Sequence, residues 1–157
     1  MAINVGDAAP SAELVRVGEN GPEKVNITSL KGEKTVLLFF PLVGTGVCEA
    51  ELCSVRDSIS KYNDLDSKVI AISIDSPFAQ GLWKEKENFN FDFWSDFNKE
   101  AITAFGNAHE ELANLKGVSK RSAFVLDKDA VVQYAWVSDD PKQLPNFDEI
   151  QEKLANI

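Results

Sequence analysis

Residues 35–53, TVLLFFPLVGTGVCEAELC, run from a β-branched and aromatic segment through a proline- and glycine-containing turn into a stretch with helical spacing. Thr35 to Phe40 suits a strand buried on both faces, and Pro41 ends it by removing a ladder donor. Gly44 and Gly46 allow a tight turn around Thr45. Beyond it, Cys48, Leu52, Val55 and Ile59 recur on one helical face, so a helix is expected to start near Thr45 with the threonine hydroxyl as its N-cap. Cys48 then falls in the first helical turn, where unpaired backbone N–H groups and the positive end of the helix dipole favour a thiolate.

Glu49 and Glu51 put two carboxylates in that same turn. They oppose a thiolate, so a cation is expected close by. Cys53 lies five positions further on, which in an ideal helix separates the two Cα atoms by about 8–9 Å. A disulfide needs less than about 7 Å, so joining the pair requires the start of the helix to unwind.

Pro41, Thr45 and Cys48 stand as P-x3-T-x2-C, and on this motif the chain resembles the peroxiredoxins. The C-x4-C of TGVCEAELCSVRD is similar to the branch known as bacterioferritin comigratory protein, and a one-cysteine mycobacterial-type branch is the near neighbour. The resemblance continues through VIAISIDSPFA, SDFN and KRSAFVLD, and so covers most of the chain. It implies a thioredoxin-like α/β fold with a central mixed sheet flanked by helices, an added N-terminal hairpin and an insertion. It also implies a peroxidase in which Cys48 attacks hydrogen peroxide or an alkyl hydroperoxide and Cys53 resolves the sulfenic acid. A thioredoxin-like reductant or another thiol would recycle it, with no cofactor. Thr45 would contact peroxide and thiolate, the Pro41 ring would shield the sulfur, and Arg121, opening the strand SAFVLD, would be the missing cation. Glu51 matches a position that orients the pocket's hydrogen bonds, and Arg56 is a further supporting candidate. Glu49 stands where threonine is common in this branch, and Val43-Gly44 replaces bulkier residues, which implies a wider peroxide pocket.

The residues taken alone leave other readings open. Cys48 fits a buried inert thiol and Cys53 a core position. Arg121 fits a surface charge beside Lys120, and Arg56 a salt bridge on the helix surface. Zinc is disfavoured because His109 is the single histidine and closed zinc sites want four N or S ligands. A thioredoxin-type dithiol would show C-x2-C, and a cysteine phosphatase would carry a glycine-rich phosphate loop closed by arginine. A second functional reading is a redox sensor whose Cys48–Cys53 oxidation unwinds the helix and exposes a partner surface.

At 157 residues and 44% hydrophobic content, a single domain spanning 1–157 is expected. The net charge of −9, from 25 acidic and 16 basic residues, comes with no basic cluster, which argues against nucleic acid and anionic membrane as partners. The start MAINVGDAAPSAEL lacks the basic and apolar regions of a secretory signal, so the cytoplasm is the expected compartment, with the protein a monomer or homodimer.

Elsewhere, Ala12 to Val17 and Val25 to Leu30 read as an N-terminal hairpin. Lys68 to Asp75 reads as a strand parallel to the first, and Ser76 to Asn88 as a helix with proline in its first turn. Phe89 to Asp96 alternates like a short exposed strand, and Asp96 or Asn98 is placed to cap a helix ending at Gly106. Asn107 to Lys120 reads as a helix fragment and loop. Ser122 to Asp127 and Val131 to Ser138 form a hairpin, and Asn146 to Ile157 a helix with Phe147, Ile150 and Leu154 inward. Trp83, Trp94 and Trp136 read as core or interface residues.

Overall fold

The apolar run predicted to be the central strand forms β3, Lys34–Phe39, in the computed structural model, which describes residues 3–157. Its residues alternate between two cores. Val36, Leu38 and Phe40 pack on one face of the sheet, and Leu37 and Phe39 on the other, all shielded from solvent. Such two-sided burial requires helices on both faces, and the chain supplies them.

The hairpin β1 (Glu13–Gly18) and β2 (Gly21–Asn26) precedes β3. Helices α1 (Gly46–Asp57) and α2 (Ile59–Asp64) cross over to β4 (Ser67–Ser73), which pairs with β3 in parallel from Lys34↔Ser67 to Phe39↔Ile72. Helix α3 (Pro77–Glu87) leads to β5 (Asp92–Ser95), parallel to β4, and α4 (Glu100–Phe105) follows. A small hairpin of β6 (Glu111–Leu112) and β7 (Leu115–Lys116) precedes β8 (Arg121–Leu126), β9 (Val132–Ser138) and α5 (Phe147–Ala155). The seven-stranded mixed sheet runs β2-β1-β5-β4-β3-β8-β9, with β8 antiparallel to β3. A βαβ unit followed by ββα is the thioredoxin-like arrangement expected from the sequence. Among the described residues, no helix is long and apolar enough to cross a membrane.

Four local expectations need correction. The second strand of the N-terminal hairpin is Gly21–Asn26, with Pro22 on the sheet edge where no ladder donor is missed, and Ile27–Leu30 is a 3-10 turn capped by the Asn26 side chain. The first helix breaks at Ser58, so Ile59 belongs to α2. The strand β5 is interior, because β1 pairs along its free edge at Val15↔Ser95, and Phe93 and Trp94 enter opposite cores. Residues 107–120 contain no helix; Ala113 and Asn114 both take positive φ, which is the geometry of a two-residue hairpin turn. Asp96 does cap α4 from a distance, its carboxylate accepting the Ala101 and Ile102 N–H groups at 2.9 Å each.

This topology puts the turn after β3 beside the end of β4 and the start of β8. That turn leads into Cys48, and Arg121 at the start of β8 faces it.

Candidate active site

The last ladder-type bond of the central strand is Phe40 N–H to the Ile72 carbonyl at 2.9 Å, after which buried Pro41 has no N–H to offer. The turn that follows is tied down from outside. Val43 N–H donates to Asp75 Oδ2 at 2.9 Å, and the same oxygen accepts the Ser73 hydroxyl at 2.7 Å. Gln80, buried on α3, in turn donates to Ser73 Oγ at 3.0 Å. Gly44 takes φ +76°, a conformation that would strain a side-chain-bearing residue, although no atom crowds the position of its missing Cβ.

Thr45 stands at the N-cap position, but its side chain does not cap: the hydroxyl donates to the Leu42 carbonyl at 3.0 Å. It thereby closes the turn and leaves its oxygen lone pairs for other partners. Glu49 N–H to the Thr45 carbonyl, at 2.9 Å, is the first bond of α1, so the N–H groups of Gly46, Val47 and Cys48 precede the helical ladder. Cys48 sits among them, buried and with a free thiol.

Arg121 opens β8, one residue before the Ser122↔Phe39 pairing, and is only 1% exposed. The surface-charge reading of this residue is therefore excluded. Its Nη2 lies 3.3 Å from Cys48 Sγ, and its Nη1 donates to Glu51 Oε1 at 2.8 Å. Nε and Nη2 both donate to the Pro141 carbonyl, at 3.1 and 2.8 Å. The guanidinium plane is thus fixed from three directions, a task suited to arginine's rigid fork of donors. Burial opposes its charge, but Glu51 and Cys48 more than offset this and hold the guanidinium above its ordinary value.

Glu51 is one helical turn beyond Cys48 and completely buried. Burial pushes its carboxyl up to about 7 against the downward pull of Arg121. Among the described residues, its second oxygen, Oε2, has no hydrogen-bond partner. The other first-turn carboxylate behaves differently: Glu49 stands near Glu87 at the end of α3 and pushes that carboxyl up. Arg121 therefore pairs with Glu51 and leaves Glu49 to α3.

Cys48 borders a cavity of about 230 Å³ lined also by Pro41, Thr45, Arg121, Leu112, Pro141 and Lys142. The space is small, mostly apolar and open to solvent. It admits a compact oxygen-bearing substrate to a thiol that faces one cation.

The structure brings together Pro41, Thr45, Cys48 and Arg121 around this cavity, with Glu51 behind Arg121. It does not bring Arg56 or Cys53 there. Arg56 pairs with Asp57 at 3.0 Å and donates to the Glu87 carbonyl, linking α1 to α3, which is the helix-surface role. Cys53 is half-buried against the α1 side of the core. Burial pushes its thiol up, Arg56 opposes this, and Glu87, Glu49 and Asp57 add to it. Three participants escaped the sequence reading: Asp75, Leu112 and the Pro141 carbonyl. Asp75 had a usable signal, a carboxylate at the end of a parallel strand, whereas a backbone carbonyl leaves none.

The family model described as AhpC/TSA matches residues 5–135. Alkyl hydroperoxide reductase E of Mycobacterium tuberculosis is 32% identical over 136 residues, covering 85% of this chain and 84% of its own. The thioredoxin peroxidase of Trypanosoma brucei rhodesiense is 32% identical over 152 residues, covering 88% of this chain and 74% of its own. Among solved structures, a peroxiredoxin-like protein from Aquifex aeolicus superposes with a TM-score of 0.85 at 28% identity, over 99% of this chain and 88% of that one.

Proposed function

The chain belongs to the AhpC/TSA family and is a peroxiredoxin, an enzyme that reduces peroxides through a thiol, and we propose that Cys48 is the thiol that does so. The observation that carries this assignment is the Arg121 guanidinium 3.3 Å from a buried Cys48 Sγ at the start of a helix.

The Cys48 thiolate attacks the terminal oxygen of hydrogen peroxide or an alkyl hydroperoxide. An S–O bond forms, the O–O bond breaks, and hydroxide or alkoxide departs and takes up a proton to become water or an alcohol, while the sulfur becomes a sulfenic acid. The barrier lies in charge moving from sulfur to the departing oxygen. Arg121 is positioned to follow that charge, since Nη2 already faces the sulfur and is held in place by Pro141 O and Glu51. Thr45 lines the same cavity, and its oxygen, with the hydrogen committed to Leu42, accepts the peroxide O–H and orients the O–O axis. The apolar wall of Pro41 and Leu112 limits water around the reacting atoms.

Cys53 resolves the sulfenic acid as an intramolecular disulfide, and a thioredoxin-type dithiol reduces it. Since both cysteines lie within α1, the disulfide forms only after the first turns of that helix open. Glu51 supports Arg121, and the enzyme works in the cytoplasm as a monomer or homodimer.

The test is intact-mass spectrometry after one equivalent of hydrogen peroxide, with alkylation and peptide mapping. Wild type should gain a Cys48–Cys53 disulfide, and Cys48→Ser should not react. A persistent sulfenic acid on Cys48 would assign recycling to an external thiol, and full peroxide consumption by Cys48→Ser would remove Cys48 from the chemistry. Sustained turnover with a thioredoxin system, as against one slow oxidation, separates the enzyme cycle from a redox sensor.

A further inference from the structure

Cys48, Arg121 and Glu51 form a chain of three ionisable groups, each at most 1% exposed. Arg121 touches both acids, Sγ at 3.3 Å and Glu51 Oε1 at 2.8 Å. A net charge in such a place costs several kcal/mol, so the occupied states are those in which the three charges sum to zero. With one permanent cation and two acids, exactly one acid proton must be present. Either Cys48 is a thiol and Glu51 a carboxylate, or Cys48 is a thiolate and Glu51 a carboxylic acid. The two forms differ only in where that proton resides.

Resting on the peroxidase reading, we propose that Glu51 holds the proton that Cys48 gives up, so that the attacking thiolate exists together with a neutral Glu51 carboxyl. Glu51 Oε1 is engaged by Arg121, which leaves Oε2, buried and without a partner, as the oxygen that carries the proton. A carboxyl that titrates near neutrality suits this exchange. The charged and titratable surroundings are few. Arg121 faces Glu51 from β8 and Cys48 from α1, Tyr62 of α2 is a buried neutral phenol, and Lys142 borders the cavity from the segment after β9.

The reaction then balances without leaving a net buried charge. Thiolate, hydroperoxide and Glu51 carboxylic acid become sulfenic acid, alcohol or water, and Glu51 carboxylate. The S–O bond forms, the O–O bond breaks, the leaving oxygen takes a proton from water in the open cavity, and Glu51, which does not line that cavity, releases its own proton as the sulfur loses its charge. Afterwards Arg121 and Glu51 remain as a neutral ion pair beside an uncharged sulfenic acid. Glu51 acts on the sulfur through Arg121, as a positioning residue with a proton to exchange.

The experiment compares wild type with Glu51→Gln, which keeps the shape and an acceptor for Arg121. Three quantities are followed across pH: thiolate absorbance, the rate of Cys48 oxidation by hydrogen peroxide, and the infrared band of a protonated carboxyl. In Glu51→Gln the thiolate should persist to lower pH, because it alone now neutralises Arg121, yet oxidation at neutral pH should slow by about 100-fold, because the amide cannot become the anion that Arg121 needs once the sulfur is uncharged. The wild-type rate should be bell-shaped, and the variant should lose the alkaline limb. The infrared band should be present in reduced wild type near neutrality and vanish both on oxidation and in Cys48→Ser. A variant that loses thiolate and rate together, or one that keeps the wild-type profile, overturns the proposal, as does absence of the band. Failure of wild-type Cys48 to be oxidised at all would instead overturn the peroxidase reading.

Discussion

Replacing Arg121 by methionine tests whether the buried ion pair behaves as the geometry requires. The substitution keeps the volume but removes every polar contact of the guanidinium, including the partner of Glu51. A buried charge stripped of its partner costs about 3–5 kcal/mol, a large part of the roughly 5–15 kcal/mol that holds a domain folded. Glu51 can escape that cost by protonation, so the loss depends on pH. In wild type its carboxyl already stands at about 7, raised from 4.5. The folded state therefore binds a proton that the unfolded chain releases between those values. The stabilising contribution, about 3 kcal/mol, is complete below the lower value and is lost as pH rises through the upper one. Without Arg121 the carboxyl rises further, and the decline extends into more alkaline solution. Urea denaturation at roughly pH 5 and pH 8 should show a modest loss for Arg121→Met at the lower value, about 1–3 kcal/mol from orphaned acceptors, and a severe one at the higher. Adding Glu51→Gln should recover most of the alkaline loss while leaving Cys48 oxidation slow, because no cation faces the sulfur. If the double variant is as unstable as the single one at pH 8, or if it regains the oxidation rate, the charge argument is wrong.

Two further outcomes test the surrounding turn and helix. Asp75→Ala deprives Val43 N–H and the Ser73 hydroxyl of their acceptor, and should slow Cys48 oxidation by about tenfold with a stability loss of about 1–2 kcal/mol, while Asp75→Asn restores part of both. Stopped-flow oxidation rates measure this, and an unchanged rate in the alanine variant would show that the turn needs no anchor. Cys53→Ser should leave the first oxidation intact and block the intramolecular disulfide; circular dichroism of the disulfide form of wild type should show lost helix, whereas undiminished helicity would mean the two sulfurs meet without unwinding α1.

Much of this site was legible because its parts are local. Strand, proline stop, glycine turn and helix-start cysteine lie within 35–53, and each residue type carries its own backbone preference. The demand for a cation also followed from that segment alone, since two carboxylates in the first turn oppose a thiolate. Its assignment to Arg121 needed the family resemblance, because 73 positions separate that residue from Cys48. What stayed hidden depended on partners distant in sequence. The exposed reading of Phe89 to Asp96 failed because β1 closes the edge of β5, and no periodicity within eight residues reports who pairs alongside. The Ala113-Asn114 turn was missed because neither residue announces positive φ as glycine would. Thr45 shows a subtler limit: its N-cap position was read correctly, but the hydroxyl had a nearer acceptor in the Leu42 carbonyl.

In the proposed cycle, Cys48 and Cys53 make opposed demands on one helix. Attack requires α1 wound, because only then does Cys48 sit among the free N–H groups of the first turn with its sulfur against Arg121. Resolution requires the same turns unwound, because a helix holds the two cysteines too far apart. The opening is not confined to a solvated end, since Glu51 and Leu52 lie between the cysteines and are both fully buried. Unwinding draws Glu51 away from Arg121 and exposes Leu52, so the resolving step is opposed by the interaction that organises the first step. Oxidation weakens that opposition on the sulfur side only: an uncharged sulfenic acid binds Arg121 less strongly than a thiolate does, while a Glu51 carboxylate, once its proton is gone, holds Arg121 more strongly. The lifetime of the sulfenic acid is accordingly governed by how tightly Glu51 and Arg121 hold the second turn of α1.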